Sequence, residues 1–189
     1  MKPTALSRFN GLGNSFFCFI FCVIVFVGGS ILGTVCVRFL SQSGCSFLYE
    51  WFVSSVSRSF FRSFFSGALI PAVIFFSSLF VLGFITAPAA VFVKSFSFAL
   101  VIGAVMRQNA DISFWGASLV FLPDTLLYGP ASIVLGAFST RNSFGLLTRD
   151  SRRADSGYEL KSSFLVFFIA LLCVLLRTLI TPKLMGLIQ

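Results

Sequence analysis

The sequence predicts an all-α protein, a polytopic membrane bundle of about five transmembrane helices with a broken or re-entrant fourth segment. Three observations predict it. Charged residues make up 11% of the 189-residue chain, where a soluble domain carries about 25%. Hydrophobic residues make up 57%, 27 of the side chains being Phe, and the mean hydropathy is +0.99. The few charges are gathered between long uncharged runs, and about 20 apolar residues in a helix suffice to cross the hydrocarbon core. A single membrane domain, residues 1–189, is the natural count at this length.

The elements follow from those runs in order. Residues 9–37 are uncharged and place the first span at 15–37. A cleaved signal peptide competes, because Lys2 and Arg8 precede the run. The run is longer than a typical signal core, however, and no small-x-small cleavage site follows it. Gly29 and Gly33 form a small-xxx-small pair that can admit a second helix closely. Residues 63–93 and 95–106 are uncharged on either side of Lys94, too much for one helix. They predict a hairpin of spans 64–85 and 88–106. The break is expected near Ala87 and Pro88, since proline disfavours helix in the residue before it and is tolerated in a first turn. Lys94 then falls inside the third span.

The fourth span, residues 113–140, contains Pro123 and Pro130, each of which removes a backbone donor. One kinked helix and two half-helices meeting around residues 122–124 both fit, and either way the freed carbonyls must be met by protein. The fifth span is 162–181, with Arg177 near enough to its end to snorkel.

Two connectors are long. In residues 46–62, Leu48, Phe52 and Val56 continue into Phe60 and Phe64 at helical spacing, beside Glu50, Ser54, Arg58 and Arg62. This pattern predicts an interfacial amphipathic helix with Trp51 at headgroup level. Residues 141–161 form the most polar segment, with Arg141, Arg149, Arg152, Arg153 and Lys161 beside three acids. Its basic residues point to the cytoplasmic side, which the N-terminus then shares; the bias over the whole chain is small.

The net charge is +8, yet aromatic-basic repeats and nucleic-acid motifs are missing, so no nucleic-acid partner is expected. The chain has no His, which removes His-based acid–base, metal and nucleophile chemistry. Cys18, Cys22, Cys36, Cys45 and Cys173 read as small packing residues. No phosphate-binding glycine loop, HExxH, GxSxG or CxxC occurs. No catalytic residue, cofactor or metal is therefore expected, and the chain is not read as an enzyme. The candidate functional or structural positions lie within the membrane segments: Lys94, Asp124, Pro123, Pro130, Gly103 and Gly136. Lys94 and Asp124 are the charges most deeply set in apolar sequence, where an ionisable group usually marks function or a buried partner. They can pair across the third and fourth segments, face a water-filled path, or sit solvated at segment breaks.

Phe92, Lys94, Ser95 and Phe96, followed by Phe98 and Gly103, resemble an element of the stage II sporulation protein M family. That element is a lysine, a small residue and phenylalanine, then a glycine-bearing helix. The stretch LPDTLLYGPA from Leu122, closing on Gly136 and Ala137, resembles that family's second element. The resemblance is specific over residues 64–140 and loose elsewhere. Ser95 stands where glycine is expected, and Asp124 and Tyr128 occupy variable polar positions. The resemblance implies a bacterial multi-pass protein of the cytoplasmic membrane that serves engulfment during sporulation. It would work with peptidoglycan-degrading partners without being the hydrolase. The expectation is a non-enzymatic scaffold in a cell-envelope complex, in contact with lipid and other envelope proteins, with self-association open. The alternative is a subunit of a small-solute transporter or channel, motivated by Lys94, Asp124 and the proline-broken segment.

Overall fold

The computed structural model describes residues 5–56, 59–108, 121–147 and 156–185. All its elements are helical: α1 (Ala5–Phe39), α2 (Gln42–Val56), α3 (Phe60–Ser77), α4 (Gly83–Gln108), a π-helical turn (Asp124–Tyr128), α5 (Gly129–Leu147) and α6 (Ser156–Met185). Among the described residues, five stretches are long and apolar enough to cross a membrane: Ser15–Phe39, Phe60–Ser77, Gly83–Gln108, Phe121–Leu146 and Lys161–Lys183. The chain is an all-α bundle and a multi-pass membrane protein. Its outer surface carries the apolar side chains that a soluble protein would bury, such as Phe16, Phe17, Phe61 and Leu165.

The most intimate helix pair is α1 with α4, and small residues make it so. A Cβ on Gly29 would strike the Ser95 hydroxyl and come within 2.8 Å of the Phe92 carbonyl. One on Gly33 would lie 2.5 Å from the Phe96 carbonyl, and one on Gly103 would lie 2.7 Å from Val37. These contacts advance together along both helices, so α1 and α4 run parallel. Close backbone approach of this kind drives association where the surroundings are as apolar as the side chains. Val91 against Gly136 and Phe98 against Phe121 make the helical stretch 121–147, of which α5 is the second part, antiparallel to α4. Phe75 stacked on Phe167, with Gly67 at Val174, makes α6 antiparallel to α3.

Several boundaries differ from the sequence reading. The hairpin breaks at residues 78–82, not at Ala87 and Pro88. Serine chemistry explains this. Ser77 and Ser78 donate to the carbonyls of Ile74 and Phe75 at 2.7 and 2.6 Å, and Ser139 of α5 also donates to Ile74 at 2.7 Å. The open carbonyls of a helix end are thereby met inside the protein. Gly83 closes the turn, since a Cβ there would collide with the Ser77 carbonyl and the Ser143 hydroxyl. Pro88 lies buried within α4.

The interfacial helix expected at 46–62 ends at Val56, and Phe60 and Phe64 belong to α3. Ser59 adopts an extended backbone, φ −47° and ψ 136°, which interrupts the helix. Serines bond on both sides of the break: Ser55 donates locally to the Phe52 carbonyl at 2.7 Å, and Ser63 of α3 donates across it to the Ser55 carbonyl of α2 at 3.1 Å. The helix packs by burying Phe52 against Val105 and Phe121, while Trp51 remains exposed. Arg107 of α4 caps the end of α1 from Nη1, donating to the carbonyls of Val37 and Leu40 at 3.0 and 2.8 Å.

The polar loop expected at 141–161 is shorter, because α5 runs to Leu147 and α6 begins at Ser156. The first part of the expected fourth span, residues 113–120, lies outside the described residues. From Phe121 to Leu147 the path is helical throughout, so within that stretch the half-helix alternative gives way to a continuous helix with a π turn.

Candidate intramembrane charge cluster

The π turn is where the prolines act. A helix N–H normally donates to the carbonyl four residues earlier, and proline both lacks the donor and crowds that carbonyl. Pro130 would meet Leu126 in this way. The chain widens instead, so that the Gly129 N–H donates to the Asp124 carbonyl five residues back. Thr125 donates its hydroxyl to the Phe121 and Leu122 carbonyls at 3.2 and 3.1 Å, satisfying the backbone that the widening loosens. Pro123, buried and helical at φ −62° and ψ −35°, precedes the turn. The result buries Asp124 and Tyr128 together on the inner side, while Leu126 and Leu127 face outward.

Three helical segments converge on Asp124. Arg177 of α6 places Nε 2.9 Å from Oδ2, a charge-assisted hydrogen bond. Lys94 of α4 places Nζ 3.7 Å from Oδ1, an ion pair beyond hydrogen-bond distance. The same ammonium lies over the Tyr128 ring, 4.5 Å from its centroid. The Asp124 side chain is 6% exposed, against 16% for Lys94 and 26% for Arg177.

A second proline sets the partner of Tyr128. Pro71 within α3 cannot donate to the Gly67 carbonyl, and the Tyr128 hydroxyl donates to that carbonyl at 3.3 Å. Thus α3, α4, α6 and the π turn are all joined at one point by polar groups in otherwise apolar packing. Around it lie Ile74, Val91, Leu135 and Val174, all buried.

Of the positions singled out in the sequence, Lys94 and Asp124 meet, and Pro123 adjoins them. Pro130 shapes the turn from its exposed side. Gly103 and Gly136 lie elsewhere, at close helix crossings: Gly103 at Val37, and Gly136 at Val91 and Cys22. Arg177 was expected to snorkel outward and instead turns inward to Asp124. Lys183 lies about 9 Å farther along the helix axis, so Arg177 sits well inside the span and an acid is its nearest polar destination. Sequence reasoning missed the roles of Arg177, Tyr128 and Pro71. The available signal was three embedded charges in place of two, and a proline whose orphaned carbonyl needs a donor.

A separate cavity of about 100 Å³ opens between α1 and α5, lined by Ser15, Phe19, Val134, Ala137, Phe138 and Arg141. It shares no lining residue with the cluster. No family model matches the chain, and comparison with curated proteins and with solved structures returned no match.

Proposed function

We propose that this protein is a non-enzymatic membrane scaffold, an assembly component of a cell-envelope complex in a bacterial cytoplasmic membrane. The observation that carries the reading is the convergence of Lys94 and Arg177 on Asp124. The charges set deepest in the spans are used to tie the chain's own helices together around a packed core, an arrangement that favours a fixed platform. The resemblance of residues 64–140 to the stage II sporulation protein M family supplies the setting, with peptidoglycan hydrolases as expected partners. The basic residues of 141–161 favour a cytoplasmic N-terminus.

The test is cross-linking in the native membrane, purification in mild detergent, and identification of what is recovered. Cell-wall hydrolases or their membrane anchors are the expected company. Recovery of the chain alone, or with an ATP-driven transport subunit, would overturn the scaffold reading. A transporter or channel subunit is the second reading, favoured by the π turn at Asp124, since such turns recur at functional sites. Solute flux into vesicles holding the purified, folded chain, absent from vesicles without protein, would support that second reading.

A further inference from the structure

The cavity between α1 and α5 lies apart from the charge cluster, at one end of the bundle. Its two helices run antiparallel: Phe26 stands 3.5 Å from where a Cβ on Gly129 would be, and Cys22 stands at the same distance from one on Gly136. Following α1 back toward its start therefore follows α5 toward its end. The cavity falls where Ser15 opens the first membrane-spanning stretch and Arg141 nears the close of the fourth. Arg141 is five residues short of Leu146, about 8 Å along the axis. The lining is graded. Ser15 and Arg141 stand at the outer end, while Phe138, Ala137, Val134 and Phe19 continue inward. Phe19 is 41% exposed, so the cavity opens on the apolar outer surface of the bundle.

We infer that this cavity seats one anionic phospholipid, with its phosphate on the Arg141 guanidinium and the Ser15 hydroxyl and the start of one acyl chain against Phe19, Val134 and Phe138. Polar residues at the headgroup end and apolar ones toward the bilayer centre follow the order of a lipid's own parts. A guanidinium matches a phosphate with paired N–H donors, and its five donors let it serve the protein and a lipid together. An opening of about 100 Å³ toward the bilayer, walled mostly by apolar side chains, suits chain methylenes better than water. It is too small for a whole lipid, the rest of which stays in the leaflet. The headgroup is anionic because the segments leading into this end, residues 1–14 and 141–161, carry seven basic residues against three acids. Basic pockets between spans favour such headgroups. The inference goes beyond the scaffold reading and does not depend on it.

The experiment titrates the full chain, in mild detergent, with phosphatidylglycerol or phosphatidylcholine of the same acyl chains, and native mass spectrometry counts the lipid retained. One phosphatidylglycerol should be held at least about tenfold more tightly than phosphatidylcholine, and Arg141→Gln should abolish that preference. Val134→Phe leaves the guanidinium in place and fills the inner end of the cavity. It should weaken phosphatidylglycerol binding about tenfold, and it serves if Arg141→Gln fails to fold. Glycerol 3-phosphate, which offers the phosphate without chains, should not displace the lipid at equal concentration. Equal retention of the two lipids overturns the inference. So does a preference that survives Arg141→Gln, or tight binding that survives Val134→Phe. Displacement by glycerol 3-phosphate would make this a site for a soluble phosphate, and self-association that excludes lipid would make it an interface between copies; either overturns the inference. None of these results depends on which proteins native cross-linking recovers, so failure here and failure of the scaffold reading are told apart.

Discussion

Arg177 Nε donates to Asp124 Oδ2 across 2.9 Å, joining α6 to the π turn, while Lys94 approaches the other oxygen of the same carboxylate from α4. A pairing of Lys94 with Asp124 was foreseeable from their isolation in apolar sequence. The three-membered arrangement changes what mutations should do.

For a simple pair, exchanging the charges of Lys94 and Asp124 would restore what either reversal destroys. Here Lys94→Asp with Asp124→Lys sets a lysine against Arg177 at hydrogen-bond distance. The double exchange should therefore express as poorly as the single reversals, and adding Arg177→Met should recover a monodisperse protein. Size-exclusion profiles of the four variants check this. Asp124→Asn should be the most damaging neutral change, costing about 3–5 kcal/mol by thermal unfolding in detergent, because it strands two cations.

Tyr128→Phe keeps the ring beneath Lys94 and removes the donor to the Gly67 carbonyl. The expected loss is about 1–3 kcal/mol, the usual cost of leaving a buried polar group unmet. In a Pro71→Ala background the residue 71 N–H can take that carbonyl itself. The Tyr128→Phe penalty should then shrink by at least half, and a double-mutant cycle of unfolding midpoints reads the coupling.

Gly33→Ala brings a methyl group to within 2.5 Å of the Phe96 carbonyl and 3.0 Å of Ala99, and backbone cannot step aside. It should cost about 1–3 kcal/mol, typical of overpacking. Gly28→Ala, on the same helix with nothing within 4 Å, should be neutral or stabilise by up to about 1 kcal/mol. Thermal midpoints measured side by side separate a packing role from a general tolerance of alanine.

Pro130→Ala restores a backbone donor and removes the steric cause of the π turn. A regular turn there would rotate Asp124 away from Arg177. The variant should unfold more easily than the parent, although alanine favours helices by about 3 kcal/mol over proline. Arg177→Met should then add little further loss. Additive penalties in the two-variant cycle would mean that the turn survives without its proline.

The sequence by itself determined the fold class, the apolar stretches long enough to span a membrane, and the presence of charges set within them. Each is a local property: run length against bilayer thickness, and the cost of a lysine or aspartate among apolar residues. It also marked Gly29 and Gly33, because small residues four apart share a helix face. Tertiary structure decided the rest. Where the hairpin turns depended on Ser139 of a distant helix meeting a carbonyl of α3. Whether Arg177 pointed out or in depended on an acid more than fifty residues away in the chain, presented inward by the π turn that precedes Pro130. The carbonyl freed by Pro71 was visible in the sequence, but its partner Tyr128 was not, since nothing local to either residue specifies the other. Backbone hydrogen bonds close within a helix and can be read along the chain. Those that proline or a helix end leaves open are closed between helices, and only the packing chooses the partner.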